Sequence, residues 1–293
     1  MVSFNVLVIN VFSFLCDNIC MPEMFIETLI FYSRSIIPWL VFGSVAAYIV
    51  ERRFSADAVY KYFGVMTVRK LFFLQALGMV SPLSIMSQLP VAGSLVRLGA
   101  HPGLLLSFFV AERAYDFQSF PIIAGLFGIK IAFLNAIAIF LSLSVAAFAT
   151  RNLPLTIKSS ASIDGESFWM RQGKIFGVVM TGIFIGAALR TFIPAEEFRS
   201  FSSNYVGGIV ISLVVGIILY FGTILGNYPI AKAFADLGMS SAGIFAFLTV
   251  SPVLNLVVAF LFASIVPIRY VVRQFGIYAI VALILTIFIS TAL

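Results

Sequence analysis

A chain of 293 residues that is 61% hydrophobic and only 10% charged lacks the polar side chain needed to cover a water-soluble domain, where roughly a quarter of residues are charged. A mean hydropathy of +1.11 likewise excludes a soluble globular fold and makes lipid the solvent. The net charge of +6 comes from 18 Lys and Arg scattered singly or in pairs beside apolar runs, which suits the orientation of membrane segments and not a nucleic-acid-binding face, so no nucleic-acid partner is expected.

In chain order, Met1 to Cys16 is apolar but has no basic n-region and no small-residue cleavage site, so residues 1–24 read as an interfacial or first helix rather than a removable signal peptide. Cys16 and Cys20 lie one helical turn apart, awkward for a disulfide and too few for a metal site, and read as small apolar residues. A membrane-crossing helix needs about 20 apolar residues. Candidate stretches are Phe25 to Val50, Leu71 to Leu98, Gly103 to Gly128, Ile131 to Thr150, Ile175 to Ile193, Val206 to Leu225, Tyr228 to Val250, Pro252 to Pro267 and Tyr270 to Leu293. The fold class is therefore an all-α polytopic membrane protein with about 8–10 transmembrane segments.

Ser81-Pro82, Gln88-Leu89-Pro90, Glu112-Arg113-Ala114-Tyr115-Asp116 and Asn227-Tyr228-Pro229 interrupt these stretches with prolines or charges. Each leaves backbone or side-chain groups that need partners in lipid, so broken or re-entrant helices are expected there.

Sliding the sequence along itself by 139 residues exposes an internal repeat. Pro90 then meets Pro229, Ala92 meets Ala231, Gly99 meets Gly238, Phe108 meets Phe247, Asp116 meets Asn255 and Lys130 meets Arg269. The chain divides into residues 1–24, a first membrane repeat at 25–150, a polar linker at 151–174 and a second repeat at 175–293. Glu51 to Lys70 is rich in Lys and Arg while its mate around Arg190 to Asn204 is not. That asymmetry favours inverted halves.

The Pro-anchored short segments Pro90 to Gly99 and Pro229 to Gly238, each followed by a Phe-rich helix that breaks at polar residues, resemble the predicted permease family that includes the organoarsenical efflux permeases. The resemblance extends from about Ile36 onward and implies a membrane permease. Members of that family commonly carry a Cys-rich turn before the first proline, where this chain reads Ser81-Pro-Leu-Ser-Ile-Met-Ser-Gln-Leu-Pro90. Trivalent arsenic binds thiolates, so arsenical transport does not carry over. The second departure is Glu112 to Asp116, where a turn like Ser251-Pro252-Val-Leu-Asn255 is usual.

Ionisable groups at membrane depth cost several kcal/mol unless paired or hydrated. Glu112, Arg113 and Asp116 therefore read either as a substrate or proton site, or as an Arg113–Asp116 pair holding the break. The polar groups Ser87, Gln88, Asn227, Tyr228, Ser251 and Asn255 sit at equivalent breaks and complete the expected substrate or ion pathway. Pro82, Pro90, Pro229, Pro252, Gly99 and Gly238 mark the hinges. Arg97, His101, Lys232 and Asp236 are accounted for by snorkelling or helix-end capping.

A secondary transporter, with its site between two pseudo-symmetric halves, fits the repeat, the breaks and the absence of a phosphate-binding G-x-x-x-x-G-K-[ST] loop. A passive channel or a membrane scaffold subunit are the alternatives. With a single histidine, no His-based metal site or catalytic triad can be assembled; neither a metal nor a cofactor is expected, and the chain is not read as an enzyme. The expected partners are a small-molecule or ion substrate and the lipid bilayer, with a homo-oligomer left open. The expected location is a bacterial or archaeal inner (plasma) membrane, crossed several times.

Overall fold

The structure is a computed structural model that describes residues 23–38, 40, 41, 44, 45, 48, 63–81, 100–153, 167–218 and 224–291. Among them every regular element is a helix: α1 (residues 23–38), α2 (Val68–Met79), α3 (Pro102–Ala114), α4 (Ser119–Phe127), α5 (Ile129–Thr150), α6 (Phe168–Phe192), α7 (Ala195–Ser202), α8 (Tyr205–Ile218), a 3-10 turn Ile224–Gly226, α9 (Asn227–Asp236), α10 (Ser241–Val250), α11 (Leu256–Ile265) and α12 (Ile268–Ser290). This is the all-α architecture that the apolar composition demands, because only internally bonded backbone is tolerated in lipid.

Helices α5 and α12 are long and apolar enough to cross a membrane. The end of α6 and α7 make a third span if the pair is taken as one, bent by 99°. The bend falls at Pro194, where Ile193 before it is extended, as a residue preceding proline prefers. Of the other sequence stretches, Pro252 to Pro267 holds the single short helix α11, and the rest lie in part outside the described residues or are divided. Tyr228 to Val250, read as one run, is two helices. Helix α6 begins at Phe168, inside the stretch read as linker.

The sidedness of α5 is that of a membrane helix. Ile129, Phe133, Ile137, Leu141, Val145 and Phe148 form its exposed stripe, while Asn135, Ala138, Ser142, Ala146 and Thr150 face inward. The exposed stripe is wholly large and apolar, as a lipid-facing surface requires, while the inward face mixes small and polar residues with Ile139 and Leu143.

The 139-residue offset also separates several helix starts. Helices α3 and α10 begin at Pro102 and Ser241, and α5 and α12 begin at Ile129 and Ile268. The preceding residues are mates too: His101 accepts from the Gly103 amide at 3.1 Å and Ser240 from the Gly243 amide at 3.3 Å, each satisfying an orphan N–H of its helix start. Asp116 and Asn255 likewise occupy the two equivalent breaks, before α4 and α11.

Helices α5 and α12, mates in the repeat, pack against one another. Thr150, at the end of α5, meets the Tyr270 hydroxyl, at the start of α12, at 3.2 Å, so the two run antiparallel. In a variant lacking Cys16 and Cys20, cysteines at Lys130 and Arg269, at the starts of these helices, should react with an impermeant thiol reagent from opposite sides of the membrane. Labelling of both from one side would exclude inversion.

Candidate functional site

Helix α3 ends at Tyr115, whose extended backbone (φ −157°, ψ 124°) turns the chain out of the helix. Asp116 starts the next one. Its Oδ1 accepts from the Gln118 amide at 3.0 Å and from the Ser119 hydroxyl at 2.9 Å, and its own amide donates to Ser119 Oγ at 3.2 Å. This reciprocal arrangement satisfies the donors that a helix start leaves open, in the manner of a capping box.

The Ser119 hydroxyl also accepts from the Tyr228 hydroxyl at 2.5 Å. A hydroxyl has one donor and two acceptor positions, and all three are used. A continuous hydrogen-bond chain thus runs from Tyr228, in the second half, through Ser119 to the carboxylate of Asp116, in the first. Arg113, in the last turn of α3, acts electrostatically on both Asp116 and Tyr228. Glu112 and Arg113 are buried.

Tyr228 arrives from α9, which follows the 3-10 turn. Pro229 sits in the first turn of α9, where its missing N–H costs nothing. Close approach by α6 fixes this start: a Cβ on Gly182 would lie 2.5 Å from the Gly226 carbonyl oxygen, and one on Gly186 2.8 Å from that of Pro229. Gly182-Ile-Phe-Ile-Gly186 is a small-x-x-x-small seam of the kind that lets membrane helices touch backbone to backbone. Helix α9 ends at Gly238 (φ 89°). There the Met239 amide returns to Phe234 O at 2.9 Å and the Gly238 amide to Ala235 O at 3.0 Å, a Schellman cap. Near that end Asp236 accepts from Lys232 at 2.6 Å and from Tyr32 of α1 at 2.9 Å, and meets Arg190 at 3.4 Å. These charges at the helix end are paired with one another.

At the equivalent break, the Ser251 hydroxyl donates to the Phe247 carbonyl. Asn255 Nδ2 donates to the carbonyls of Gly216 at 3.0 Å and Ile217 at 3.4 Å, and its Oδ1 accepts from the Val258 amide at 3.4 Å. Asn255 thus caps α11 and ties it to α8, while Asp116 at the mate position holds the turn that leads into α4.

Of the residues expected to line the pathway, Asp116 and Tyr228 share one hydrogen-bond chain, Arg113 is within its electrostatic reach, and Asn227 precedes Tyr228. Ser251, Pro252 and Asn255 form the second break. Ser87, Gln88, Pro82, Pro90 and Gly99 lie outside the described residues. Ser119, Gln118 and Tyr115 were not singled out from the sequence. The spacing Asp116-Phe-Gln-Ser119 was the available signal, since an acceptor followed three residues later by a polar partner marks a helix start.

The C-terminal half, residues 149–292, matches the profile of a family described as a predicted permease. This part of the chain is similar to the predicted permeases. No curated protein and no solved structure matches the chain at a significant level. The match covers α6 to α12, the half that supplies Tyr228 and Asn255. The similarity supports an integral membrane protein and, in general terms, a membrane transporter.

Proposed function

We propose that this protein is a secondary transporter, and that its solute binds at the two helix breaks between pseudo-symmetric, inverted halves comprising residues 25–150 and 175–293. The observation that carries the reading is the Tyr228–Ser119–Asp116 chain, which joins the short helix of one half to the broken helix of the other. A carboxylate held between two elements of different repeats changes its surroundings when the halves rock, and alternating access requires that change of a coupling group. Glu112, Arg113, Asp116, Asn227, Tyr228, Ser251 and Asn255 form the pathway, continued by Ser87 and Gln88. Pro82, Pro90, Pro229, Pro252, Gly99 and Gly238 let the flanking helices end or turn.

Asp116 is the proton carrier in this scheme. Its mate Asn255 is an uncharged isostere, so the pair offers one titratable position, and the two hydroxyls of the chain give a proton a route to it. The location is an inner (plasma) membrane, crossed several times. The test is flux of a mass-detected solute panel into proteoliposomes with and without a pH gradient. Accumulation of a solute only when the gradient is present supports secondary transport; equilibration that ignores the gradient indicates a passive channel, and no flux of any solute alongside stable co-purification with another membrane protein indicates a scaffold subunit.

A further inference from the structure

Helix α7 turns away from the end of α6 by 99°. A membrane-crossing helix tilts by about 20° on average, so α7 lies within about 30° of the membrane plane. Its depth follows from α12. The 23 residues of that helix, at about 1.5 Å each, span the ~30 Å hydrocarbon core, which places Ser290, its last residue, at the membrane boundary. The Ser290 hydroxyl donates to the Tyr205 hydroxyl at 3.2 Å, and Tyr205 opens α8 directly after the short turn that follows α7. Helix α7 therefore sits at the level where α12 leaves the bilayer. Tyr205 is exposed there, an amphipathic aromatic of the kind that favours this level.

Two side chains fix how α7 is rolled about its axis. Phe198 stacks on Phe234 of α9 with ring centroids 5.6 Å apart, and the Arg199 stem lies against Gly238, where an added Cβ would come within 3.2 Å of Arg199 Cδ. The end of the helix is held by the wholly buried Ser202, whose carbonyl accepts from the Ser240 amide at 3.0 Å. Phe198, Arg199 and Ser202 thus face the protein. Phe201 then falls on one flank of that face and Glu196 on the other, about 140° away, with Glu197 and Ser200 between them on the outward side. Phe201 is 55% exposed, and Glu196, Glu197 and Ser200 are exposed as well. A phenyl ring presented this far to water is unfavourable, whereas at the boundary between headgroups and acyl chains it is covered while the opposite flank stays wet.

We propose that α7 lies flat in the headgroup layer, an amphipathic helix whose partner is the lipid interface, with Phe201 in the acyl boundary and Glu196 in water. The crossing made by α6 then ends at Pro194, and α7 is an in-plane anchor for the turn between α9 and α10 instead of the second leg of a broken span. This placement does not depend on where the solute binds.

The test uses the purified full chain carrying Cys16→Ser and Cys20→Ser, reconstituted in phosphatidylcholine–phosphatidylglycerol liposomes. Nitroxide labels are placed on single cysteines at three exposed positions, Glu196→Cys, Phe201→Cys and Val210→Cys. Power saturation of the electron paramagnetic resonance signal compares collision with oxygen, which concentrates in lipid, and with a water-soluble nickel chelate. The Glu196 label should collide mainly with nickel, the Phe201 label mainly with oxygen at a depth of about 5–10 Å, and the Val210 label, inside α8, should lie deeper still. A nickel-dominated label at 201 would lift the helix out of the lipid, and an oxygen-dominated label at 196 would bury both flanks as a span does; either result overturns the proposal. Should the Phe201 variant not fold, Val206→Cys at the start of α8, 68% exposed, reports the same layer and should likewise favour oxygen, with nickel dominance there overturning the proposal.

Discussion

Asp116→Asn should abolish pH-gradient-driven accumulation while leaving solute exchange at equal, saturating concentrations largely intact. With one proton coupled to one solute, a one-unit pH gradient supports about tenfold accumulation, since a tenfold ratio and one pH unit correspond to the same ~1.4 kcal/mol. The substitution should bring that ratio to one. The fold should survive, because the Asn oxygen can still accept from the Gln118 amide and the Ser119 hydroxyl, the two bonds that hold the turn before α4. Asn255, at the mate position, already holds its own break in the neutral form. Asp116→Ala should behave differently: it removes the acceptor as well as the charge, costs about 1 kcal/mol of stability, and leaves Ser119 without its acceptor. The comparison separates proton carrying from helix capping. Accumulation that remains tenfold in Asp116→Asn would assign the coupling to another group, with Glu112 the nearest candidate in sequence.

The features legible in the sequence were those that local chemistry fixes. The 139-residue offset named the mates α3 and α10, and α5 and α12, because Pro, Gly and charged residues mark helix ends and those marks recur. The break at Asp116 was legible for the same reason: lipid does not tolerate three ionisable residues on a continuous surface helix. Helix lengths were less legible. Tyr228 to Val250 reads as one apolar run, yet it hides a Schellman turn at Gly238 and a cap at Ser240. Apolar composition sets the environment of a segment, whereas its ends are set by single capping residues that hydropathy does not weigh. Phe168 to Lys174 reads as linker because Arg171, Gln172 and Lys174 are polar, but polar residues can occupy the first turns of a helix as well as a loop. Ser119 could not be found by scanning one segment, since its role depends on Tyr228, 109 residues away. A site assembled from two halves is visible in sequence only as two unconnected polar breaks.

Gly182→Ala should be strongly destabilising and Gly177→Ala mildly stabilising, although both lie in α6 and both add the same methyl group. At Gly182 the new Cβ would sit 2.5 Å from the Gly226 carbonyl oxygen and 3.0 Å from Gly226 Cα. These are backbone atoms at the turn leading into α9, so no rotamer change can relieve the contact, and overpacking of this kind costs roughly 1–3 kcal/mol or more. A Cβ on Gly177 meets nothing within 4 Å; there the substitution only removes the flexibility of glycine in a helix, which favours Ala by roughly 0.5–1 kcal/mol. The two variants should therefore move the melting temperature of the purified protein in opposite directions. The functional consequence follows from what Gly226 precedes. Pushing α6 away from the turn displaces Asn227 and Tyr228, and a hydrogen bond of 2.5 Å to Ser119 is lost with a shift of about 1 Å, beyond the range of O–H···O bonds. Whatever Gly182→Ala protein folds should transport poorly even when corrected for the amount of folded protein, and Gly177→Ala should transport like the parent. Equal melting temperatures and equal flux for the two variants would show that the α6–α9 seam does not position Tyr228.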